Sequence, residues 1–466
     1  MLGALIWLAC ELAAARVPQH RAALENLIRH ETGLEVRFSE LSLRWGWYGP
    51  EAVFHAVELG EAGGTVLLRA PRLIVALDGW SIVRSGRFEA RRITLDSPDI
   101  DLAGAPPAPA RFARASGDLQ PEVLSAGARV LARWRGGQID IDGGSLRALT
   151  ASRTHPLTLG IRHARLQRLG AEWSADARVT LPEPLGAGAR LTLLMHGDPA
   201  RPELARGTLR FEGQRLAFAG WRDLAAGLEV ARYLPQAGSG NLELLAQFSA
   251  GRVASVNGRL SAEGLEWPAA APGAGALALE RVSGTWQLAR RGRQWHFTAD
   301  SLELTAAPLD AAAAADSAAP GDPGGAFTGA ATAASTPARI TLEAETEGGR
   351  AYGRVQYAPV AVLAAIARWC APEPALAEVA FGGRARELSF YWSAQRPAGA
   401  RLVTFADLED LTVASASGEV RLSGLSAHVS GVDGSLVADL QGHGAQLAVA
   451  RAEPFVLDQL EVGARL

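Results

Sequence analysis

The sequence lacks lysine altogether, so all 46 of its basic residues are arginine. A phosphate-binding loop of the Walker type needs a lysine, and that class of nucleotide site is therefore excluded. The arginines form no run of five or more, and the formal net charge is −3. A chain without a basic run or a positive field is not expected to bind nucleic acid.

Catalytic and metal-binding motifs are also missing. The sequence has no GxSxG elbow, no GxGxxG fingerprint, no HExxH pair and no CxxC pair, which mark common hydrolase, dinucleotide and zinc sites. Its 9 histidines are scattered along the chain. We therefore predict no catalytic residue, no metal site and no cofactor, and a protein that is not an enzyme.

Cysteine is scarce, with only Cys10 and Cys370 present. The first lies in an apolar N-terminal stretch and the second in a helix candidate, so the two are poorly placed for a disulfide. So low a count fits either an oxidising or a reducing compartment. Cysteine usage thus leaves the compartment open.

Two pairs of acidic residues are close enough in sequence to suggest a cation site. These are Asp99 with Asp101, and Asp140 with Asp142. Both pairs alternate with isoleucine or leucine, as the residues of a half-buried strand do. We interpret them as the solvated face of a strand rather than as metal ligands.

Alternation between apolar and polar residues is what the sequence has in abundance. The most regular run places Trp173, Ala175, Ala177, Val179 and Leu181 between polar or charged neighbours. A helix cannot present such a pattern on one side, because its period is 3.6 residues rather than 2. Shorter runs recur along the chain and predict about twenty strands. The glycines at 238–240 and 264 are interpreted as turns, and residues 431–434 as a hairpin turn.

Helical spacing occurs in only three places after the first 16 residues. Residues 17–33, 119–135 and 359–370 each carry apolar side chains on one helical face. Beyond the first of these segments, the apolar residues of the alternating pattern move from even positions, up to Phe38, to odd positions, from Leu41 onward. This change predicts a bulge or turn near Ser39 and Glu40.

The N-terminus is apolar from residue 2 to residue 15 except for Glu11. Spanning a bilayer takes about 20 such residues, so we expect this stretch to be part of an anchor whose true start lies upstream. A signal-peptide remnant or a buried helix is the alternative. Orientation cannot be read from charge, because the first arginine is Arg16.

The chain divides by composition into six segments. We predict a partial transmembrane anchor over 1–16, a helix-and-sheet module over 17–102, a linker and helix over 103–137, sheet repeats over 138–305, a disordered Ala/Gly/Pro-rich insertion over 306–338, and further sheet repeats over 339–466. Alternation still continues near Leu466, which indicates a fragment truncated at its C-terminus.

So many half-apolar strands raise the question of what covers their apolar faces. Two sheets could pack into sandwiches or a β-solenoid with a dry core, and periodicity alone favours the sandwich. Alternatively, one long curled antiparallel sheet could leave a continuous apolar trough uncovered, since only two or three helices are available.

The segment 17–102 resembles the N-terminal module of AsmA-like proteins, and of their YhdP branch in particular. The resemblance is carried by Thr32, Gly33, Val36, Trp45, Gly49, Pro50, Pro71, Arg72, Leu73, Asp78, Trp80, Ser81, Leu95, Ser97 and Pro98. It extends to later pieces at 133–142, 238–265, 279–304, 424–440 and 454–455. The sequence departs from the family in its short start, its Ala-rich insertion, and residues 146–148, where relatives tend to carry a Trp near an Asp.

The resemblance implies a mostly β fold with a repeating β-groove and an N-terminal membrane helix. It implies a single-pass inner-membrane protein whose bulk lies in the periplasm, where the groove conducts phospholipid toward the outer membrane. Phospholipid acyl chains, the inner membrane and other envelope proteins are then the expected partners. The lipid-contacting candidates are Val36, Phe38, Trp173, Ala175, Val179, Leu181, Leu436 and Leu440.

Two other functions stay open. Some AsmA-like relatives suggest a non-enzymatic scaffold or assembly factor for outer-membrane proteins. A surface β-solenoid adhesin is the remaining alternative, and it would need a cleavable export signal.

Overall fold

The computed structural model describes most of the sheet-forming part of the chain. The described residues are 34–46, 49–61, 66–78, 90–101, 137–149, 156–198, 204–226, 231, 233–250, 252–269, 276–292, 294–306, 338–345, 349–370, 379–396, 401–415, 419–432, 435–449 and 454–465. The predicted anchor, the helices predicted over 17–33 and 119–135, and most of the predicted insertion lie outside these ranges.

The described residues form 24 strands that belong to a single sheet. The strands are β1 (Leu34–Arg37), β2 (Glu40–Gly46), β3 (Gly49–Glu61), β4 (Val66–Leu77), β5 (Ala90–Asp96), β6 (Asp99–Asp101), β7 (Gly137–Asp142), β8 (Ser145–Leu149), β9 (Pro156–Leu169), β10 (Glu172–Thr180), β11 (Gly188–His196), β12 (Arg206–Ala217), β13 (Ala237–Ser249), β14 (Arg252–Trp267), β15 (Leu277–Arg291), β16 (Gln294–Ala306), β17 (Ala338–Glu345), β18 (Arg350–Gln356), β19 (Ala358–Pro359), β20 (Val379–Ser393), β21 (Leu402–Ser415), β22 (Val420–Val432), β23 (Ser435–Val449) and β24 (Phe455–Arg465). The helices are α1 (Phe218–Leu224), α2 (Val360–Cys370) and a 3-10 turn at Glu183–Leu185. The prediction of a mostly β chain with a long antiparallel sheet and few helices is confirmed.

Strand pairing is antiparallel with one local exception. Strands β5 and β6 lie parallel to β7 and β8, and residues 102–136 connect the two pairs. The bulge predicted near Ser39 is confirmed, because β1 and β2 both pair with β3 and the Ser39 N–H donates to the carbonyl of His55 at 2.9 Å. The hairpin predicted around residues 431–434 is also confirmed, since Val432 pairs with Ser435.

The chain forms two compact units. Unit 1 comprises Met1–Leu216, Asp223–Ala231 and Glu243–Ala254, and unit 2 comprises Ala217–Arg222, Arg232–Leu242 and Ser255–Leu466. The core of unit 1 lies near its first strands, where the Phe38 and Phe54 rings meet edge to face with centroids 5.2 Å apart. Such aromatic pairs add to the burial of apolar area, so this end of the unit is well packed.

The core of unit 2 forms around helix α2, which confirms the helix predicted over 359–370. Val362 is 1% exposed and packs with Leu265 and Leu279 of the sheet. Val360, at the start of the helix, belongs to a second cluster with Leu425. The helix therefore forms because its apolar stripe has a sheet face to cover.

The solvated position predicted for Asp140 is wrong. Its side chain is only 1% exposed, because Arg92 on β5 and Arg165 on β9 flank it from both neighbouring strands. Long arginine side chains shield a short acid with their aliphatic stems, and a single-strand pattern does not reveal those neighbours.

The turns predicted at glycines 238–240 and 264 are wrong as well. Gly238 lies within β13 and Gly264 within β14, and a Cβ on Gly238 would come 2.6 Å from the Gly264 carbonyl oxygen. These glycines allow two backbones to approach closely inside the sheet, which is the other common role of glycine in strands.

Candidate functional site

One face of the unit 1 sheet carries two continuous rows of apolar residues. They follow the cross-strand register through β2, β3, β4, β5, β7, β9, β10, β11 and β12. The first row is Leu41, Phe54, Leu73, Leu95, Ile141, Ala164, Ala177, Leu191 and Phe211, and the second is Leu43, Ala52, Val75, Ile93, Ile139, Leu166, Ala175, Leu193 and Leu209. We call this side of the sheet the apolar face and its opposite the polar face.

The first row is enclosed at two positions near one end, and neither row has a buried residue from β9 to β12. Phe54 and Leu95, in the first strands, are each 8% exposed. None of the row residues of β9 to β12 is buried, and Leu191 is 42% exposed. An accessible apolar strip of this kind marks a binding surface in most soluble proteins.

The polar face of the same strands is held by ion pairs between neighbouring strands or along one strand. They are Arg72–Asp96, Arg92–Asp140, Arg165–Asp140, Arg190–Asp176 and Arg210–Glu212, with N–O distances of 2.6–2.8 Å. Opposite charges on paired strands stabilise a sheet modestly. Their larger effect here is that one side of the sheet stays hydrated while the other is apolar.

Asp140 and Asp176 remain ionised at neutral pH. Burial raises the pKa of the Asp140 carboxyl, but hydrogen bonds from Arg165, Gln138 and Arg92 outweigh it and hold that pKa below the ordinary value. Burial likewise raises the pKa of Asp176, and hydrogen bonds from Arg190 and Thr192 lower it further than burial raises it. Both carboxylates therefore serve as fixed acceptors for arginines rather than as proton-transfer groups.

Unit 2 carries an apolar row of the same kind. It consists of Ala299, Ile340, Val355, Leu388, Ala406, Val429 and Ala438, paired in that order from β16 to β23. Helix α2 covers part of this face through Leu363, which packs against the buried cluster of Val355 and Ala358. The indole N–H of Trp369 donates to the Pro268 carbonyl at 2.7 Å and fixes the end of the helix. The apolar face of unit 2 is thus partly occupied by the chain itself.

The predicted lipid-contacting residues fall into three groups. Val36 and Phe38 are 5% and 3% exposed and are enclosed in the packed end of unit 1. Trp173, Ala175 and Val179 share the apolar face of β10, with Leu181 immediately beyond the strand. In unit 2, Leu440 packs partly buried against the Leu425 cluster, and Leu436 pairs with Gly431. Contact of any of them with lipid stays a prediction.

The candidate list missed most members of the two rows. Ile93, Ile139 and Leu166 are examples, and each was recognisable as an apolar strand position from alternation. Alternation indicates on which face of its own strand a residue lies. It does not predict how neighbouring strands align, and that alignment determines which residues form a row.

A hollow of about 690 Å³ lies at the hairpin ends of β9 to β12 and next to β13. Leu169, Leu194, Arg206 and Gln247 are among its lining residues. By register, Leu169, Leu194 and Arg206 have the parity of the polar face. The hollow is therefore mainly a feature of the polar face and is distinct from the apolar rows.

The described ranges contain neither a metal-binding cluster nor a membrane-spanning helix. No three His, Cys, Asp or Glu side chains there are grouped to hold a metal ion. No helix there is both long enough and apolar enough to cross a membrane.

Comparison with known families decides the affiliation of the chain. A family model described as YhdP protein matches residues 1–466, the whole of the sequence. The chain belongs to the YhdP family. No curated protein sequence matches it. The resemblance to the YhdP branch is thereby confirmed.

Membership of the YhdP family suggests an envelope protein with a role in lipid transport. The YhdP family is not a known enzyme family. For a YhdP protein, the accessible apolar rows of β9 to β12 are the feature of unit 1 that bears most directly on such a role.

Proposed function

We propose that the protein is an inner-membrane-anchored periplasmic conduit that carries phospholipid between the inner and outer membranes. The acyl chains lie on the apolar face, and the protein thereby contributes to outer-membrane integrity. The observation that carries this proposal is the pair of apolar rows in unit 1, whose residues in β9 to β12 remain accessible.

The energetics of an acyl chain suit such a surface. Each methylene that leaves water contributes roughly 0.8 kcal/mol, so two acyl chains are held firmly against the rows. Neighbouring strands are ~4.8 Å apart, and nine strands therefore give a path of roughly 40 Å in unit 1.

The uniformity of the rows supports movement as well as binding. Every position in both rows is Ala, Val, Ile, Leu or Phe, so a lipid that shifts by one strand exchanges one apolar contact for a similar one. A site with a single deep pocket would trap the lipid instead. A continuous strip of similar residues allows sliding at little cost in free energy.

The polar face is consistent with a protein that works in water. Its ion pairs keep that side of the sheet hydrated, while the apolar side is shielded by its cargo. Family membership supports an envelope location, and anchoring in the inner membrane is part of the proposal.

A second function has one observation in its favour. The polar face of unit 2 exposes a patch of Tyr352, Phe405, Val432 and Val437, each at least 41% exposed. Phe405, Val432 and Val437 lie on the adjacent strands β21, β22 and β23, whereas Tyr352 lies on β18, which β20 separates from β21. By register all four lie opposite the apolar row. Exposed apolar patches often bind other proteins, which favours an additional role as a scaffold for envelope proteins.

The conduit is tested by two neighbouring leucines that face opposite sides of β11. Leu193 belongs to the second apolar row, and Leu194 lies on the polar face and is 54% exposed. Leu193→Asp places a carboxylate under the acyl chains, and we expect vesicle-to-vesicle transfer of a fluorescent phospholipid to fall at least tenfold. Leu194→Asp should transfer lipid at the rate of the unmodified protein.

Three results would overturn the proposal. Purified protein could contain no phospholipid by extraction and mass spectrometry and transfer none. The two variants could transfer lipid equally well. Loss of transfer in Leu194→Asp alone would place the lipid in the hollow of the polar face instead of on the apolar rows.

A further inference from the structure

Two hairpins, one in each unit, share a sequence and a geometry. The β9–β10 hairpin reads RLGAEW from Arg168 to Trp173, and the β15–β16 hairpin reads RRGRQW from Arg290 to Trp295. Arginine, glycine and tryptophan occupy the first, third and sixth positions of both. Arg168 pairs directly with Trp173, and Arg290 with Trp295.

The backbone of the two hairpins is held in the same way. The Nε–H of Arg168 donates to the Gly170 carbonyl at 3.1 Å, and that of Arg290 donates to the Gly292 carbonyl at 3.2 Å. These glycines have φ values of 63° and 64°, a conformation that side chains disfavour. The turn therefore fixes the position of each guanidinium at the end of its strand.

Both arginines stand at the edge of an apolar face. Arg168 lies on the same face of β9 as Ala164 and Leu166, which is the apolar face. Its guanidinium carbon lies 4.7 Å from the centre of the Trp173 ring. Arg290 has the parity of Leu288, which pairs with Phe297. The strand ends immediately after each arginine, so the pair is the last element of the apolar face before the turn.

The hairpin edge of each unit carries further positive charge. Arg206 and Arg252 lie at this edge in unit 1, together with the acidic residues Glu172 and Asp198. In unit 2 the edge carries Arg291, Arg350, Arg396 and Arg401, and β17 ends there with Glu345. Counting Arg168 and Arg290, arginines outnumber acids among the described residues of both edges, which favours a positive potential there.

A diacyl phospholipid has the complementary shape and charge. Its acyl chains match the apolar rows. Its phosphate would then lie at the hairpin edge, where the guanidinium of an arginine offers two parallel N–H donors. Trp173 is 4% exposed and its N–H donates to the Gly197 carbonyl at 3.1 Å, so its ring positions the Arg168 guanidinium at the boundary rather than contacting the glycerol region itself. Resting on the proposed conduit, we infer that the Arg168–Trp173 and Arg290–Trp295 hairpins bind the phosphate of the lipid headgroup.

The test compares two lipids that differ only in the phosphate-bearing headgroup. Fluorescent phosphatidylglycerol and fluorescent diacylglycerol with identical chains are titrated into the purified full chain. We expect phosphatidylglycerol to bind at least tenfold more tightly than diacylglycerol, since a charge-assisted contact to phosphate is worth about that factor. Inorganic phosphate should not displace the bound lipid, because it lacks the acyl chains.

Substitutions then test whether the two hairpins cause the preference for phosphatidylglycerol over diacylglycerol. The double variant Arg168→Gln with Arg290→Gln should bind phosphatidylglycerol about tenfold more weakly and bind diacylglycerol unchanged. The matched control replaces two exposed arginines of opposite parity, Arg178→Gln with Arg259→Gln, and should keep the preference. The double variant Arg168→Lys with Arg290→Lys retains the positive charge and should keep most of the preference for phosphatidylglycerol over diacylglycerol.

The outcomes separate this inference from the function on which it rests. If unmodified protein binds both lipids equally, or if the Gln variant weakens both lipids alike, the headgroup role is refuted and the conduit is not. If unmodified protein binds neither lipid, the conduit itself is refuted.

Discussion

Asp140→Asn is the sharpest test of how the polar face holds the unit 1 sheet together. The Asp140 carboxylate accepts hydrogen bonds from Arg92 at 2.6 Å, Gln138 at 2.7 Å and Arg165 at 2.8 Å. These contacts join β5, β7 and β9. The asparagine has the same shape but no charge, and its NH₂ group turns a donor toward a neighbouring donor.

The expected loss follows from the exposure of the partners. Breaking a fully buried ion pair costs about 3–5 kcal/mol because a charge is left without a partner. Here the Arg92 and Arg165 side chains are 39% and 48% exposed, so water can solvate them and the penalty is smaller. One lost charge-assisted hydrogen bond costs about 1.5–3 kcal/mol, and we expect a loss of about 2–3 kcal/mol.

Hydrogen–deuterium exchange of β5, β7 and β9 measures this loss locally, without assuming two-state unfolding of the chain. A loss of about 2–3 kcal/mol should accelerate exchange roughly 30- to 150-fold at neutral pH. The matched control is Asp142→Asn, whose side chain is 58% exposed and contacts His163. An exposed pair contributes no more than about 1 kcal/mol, so its exchange should change little.

The pH dependence provides an independent check. Folding lowers the pKa of Asp140, so its stabilising effect is complete above the unfolded pKa of about 3.9 and is lost as the pH falls through the folded pKa. The difference between unmodified protein and Asp140→Asn should therefore shrink as the pH falls below about 4. A difference that is constant from neutral to acid pH, or an Asp142→Asn effect as large as that of Asp140→Asn, would refute the reasoning.

Three further predictions concern unit 2. In Gly258→Ala the new Cβ would overlap the Trp286 ring, so the ring must move, stability should fall by about 1–3 kcal/mol and the near-UV circular dichroism should change. The control Gly463→Ala, whose Cβ would meet only the Asp439 Oδ1 at 3.9 Å, should leave that spectrum unchanged. Val362→Ala should destabilise helix α2 by about 2 kcal/mol because the side chain is buried, whereas Ile366→Ala, at a position 37% exposed, should accelerate exchange of the helix far less. Trp369→Phe removes the hydrogen bond to the Pro268 carbonyl and should destabilise the end of α2 by about 1 kcal/mol, seen as faster proteolysis after the helix; equal cleavage rates would contradict this.

Much of the fold could be predicted from local pattern. The alternation from Trp173 to Leu181 correctly gave β10 and the face of each residue, because side chains alternate strictly along a strand. The apolar spacing over 359–370 correctly gave helix α2, since its buried positions recur at helical intervals. The parity change before Leu41 correctly located the break between β1 and β2.

The sequence by itself therefore determined which segments are strands and which side of each strand is apolar. Only the tertiary structure decided how the strands align, and so which residues form the two rows, which acid is enclosed by Arg92 and Arg165, and which glycines meet inside the sheet. The physical reason is that the face of a residue depends on its neighbours along the chain, whereas strand register depends on bulges and turns. A shift such as the one between Arg178 and Val179 changes every partner beyond it.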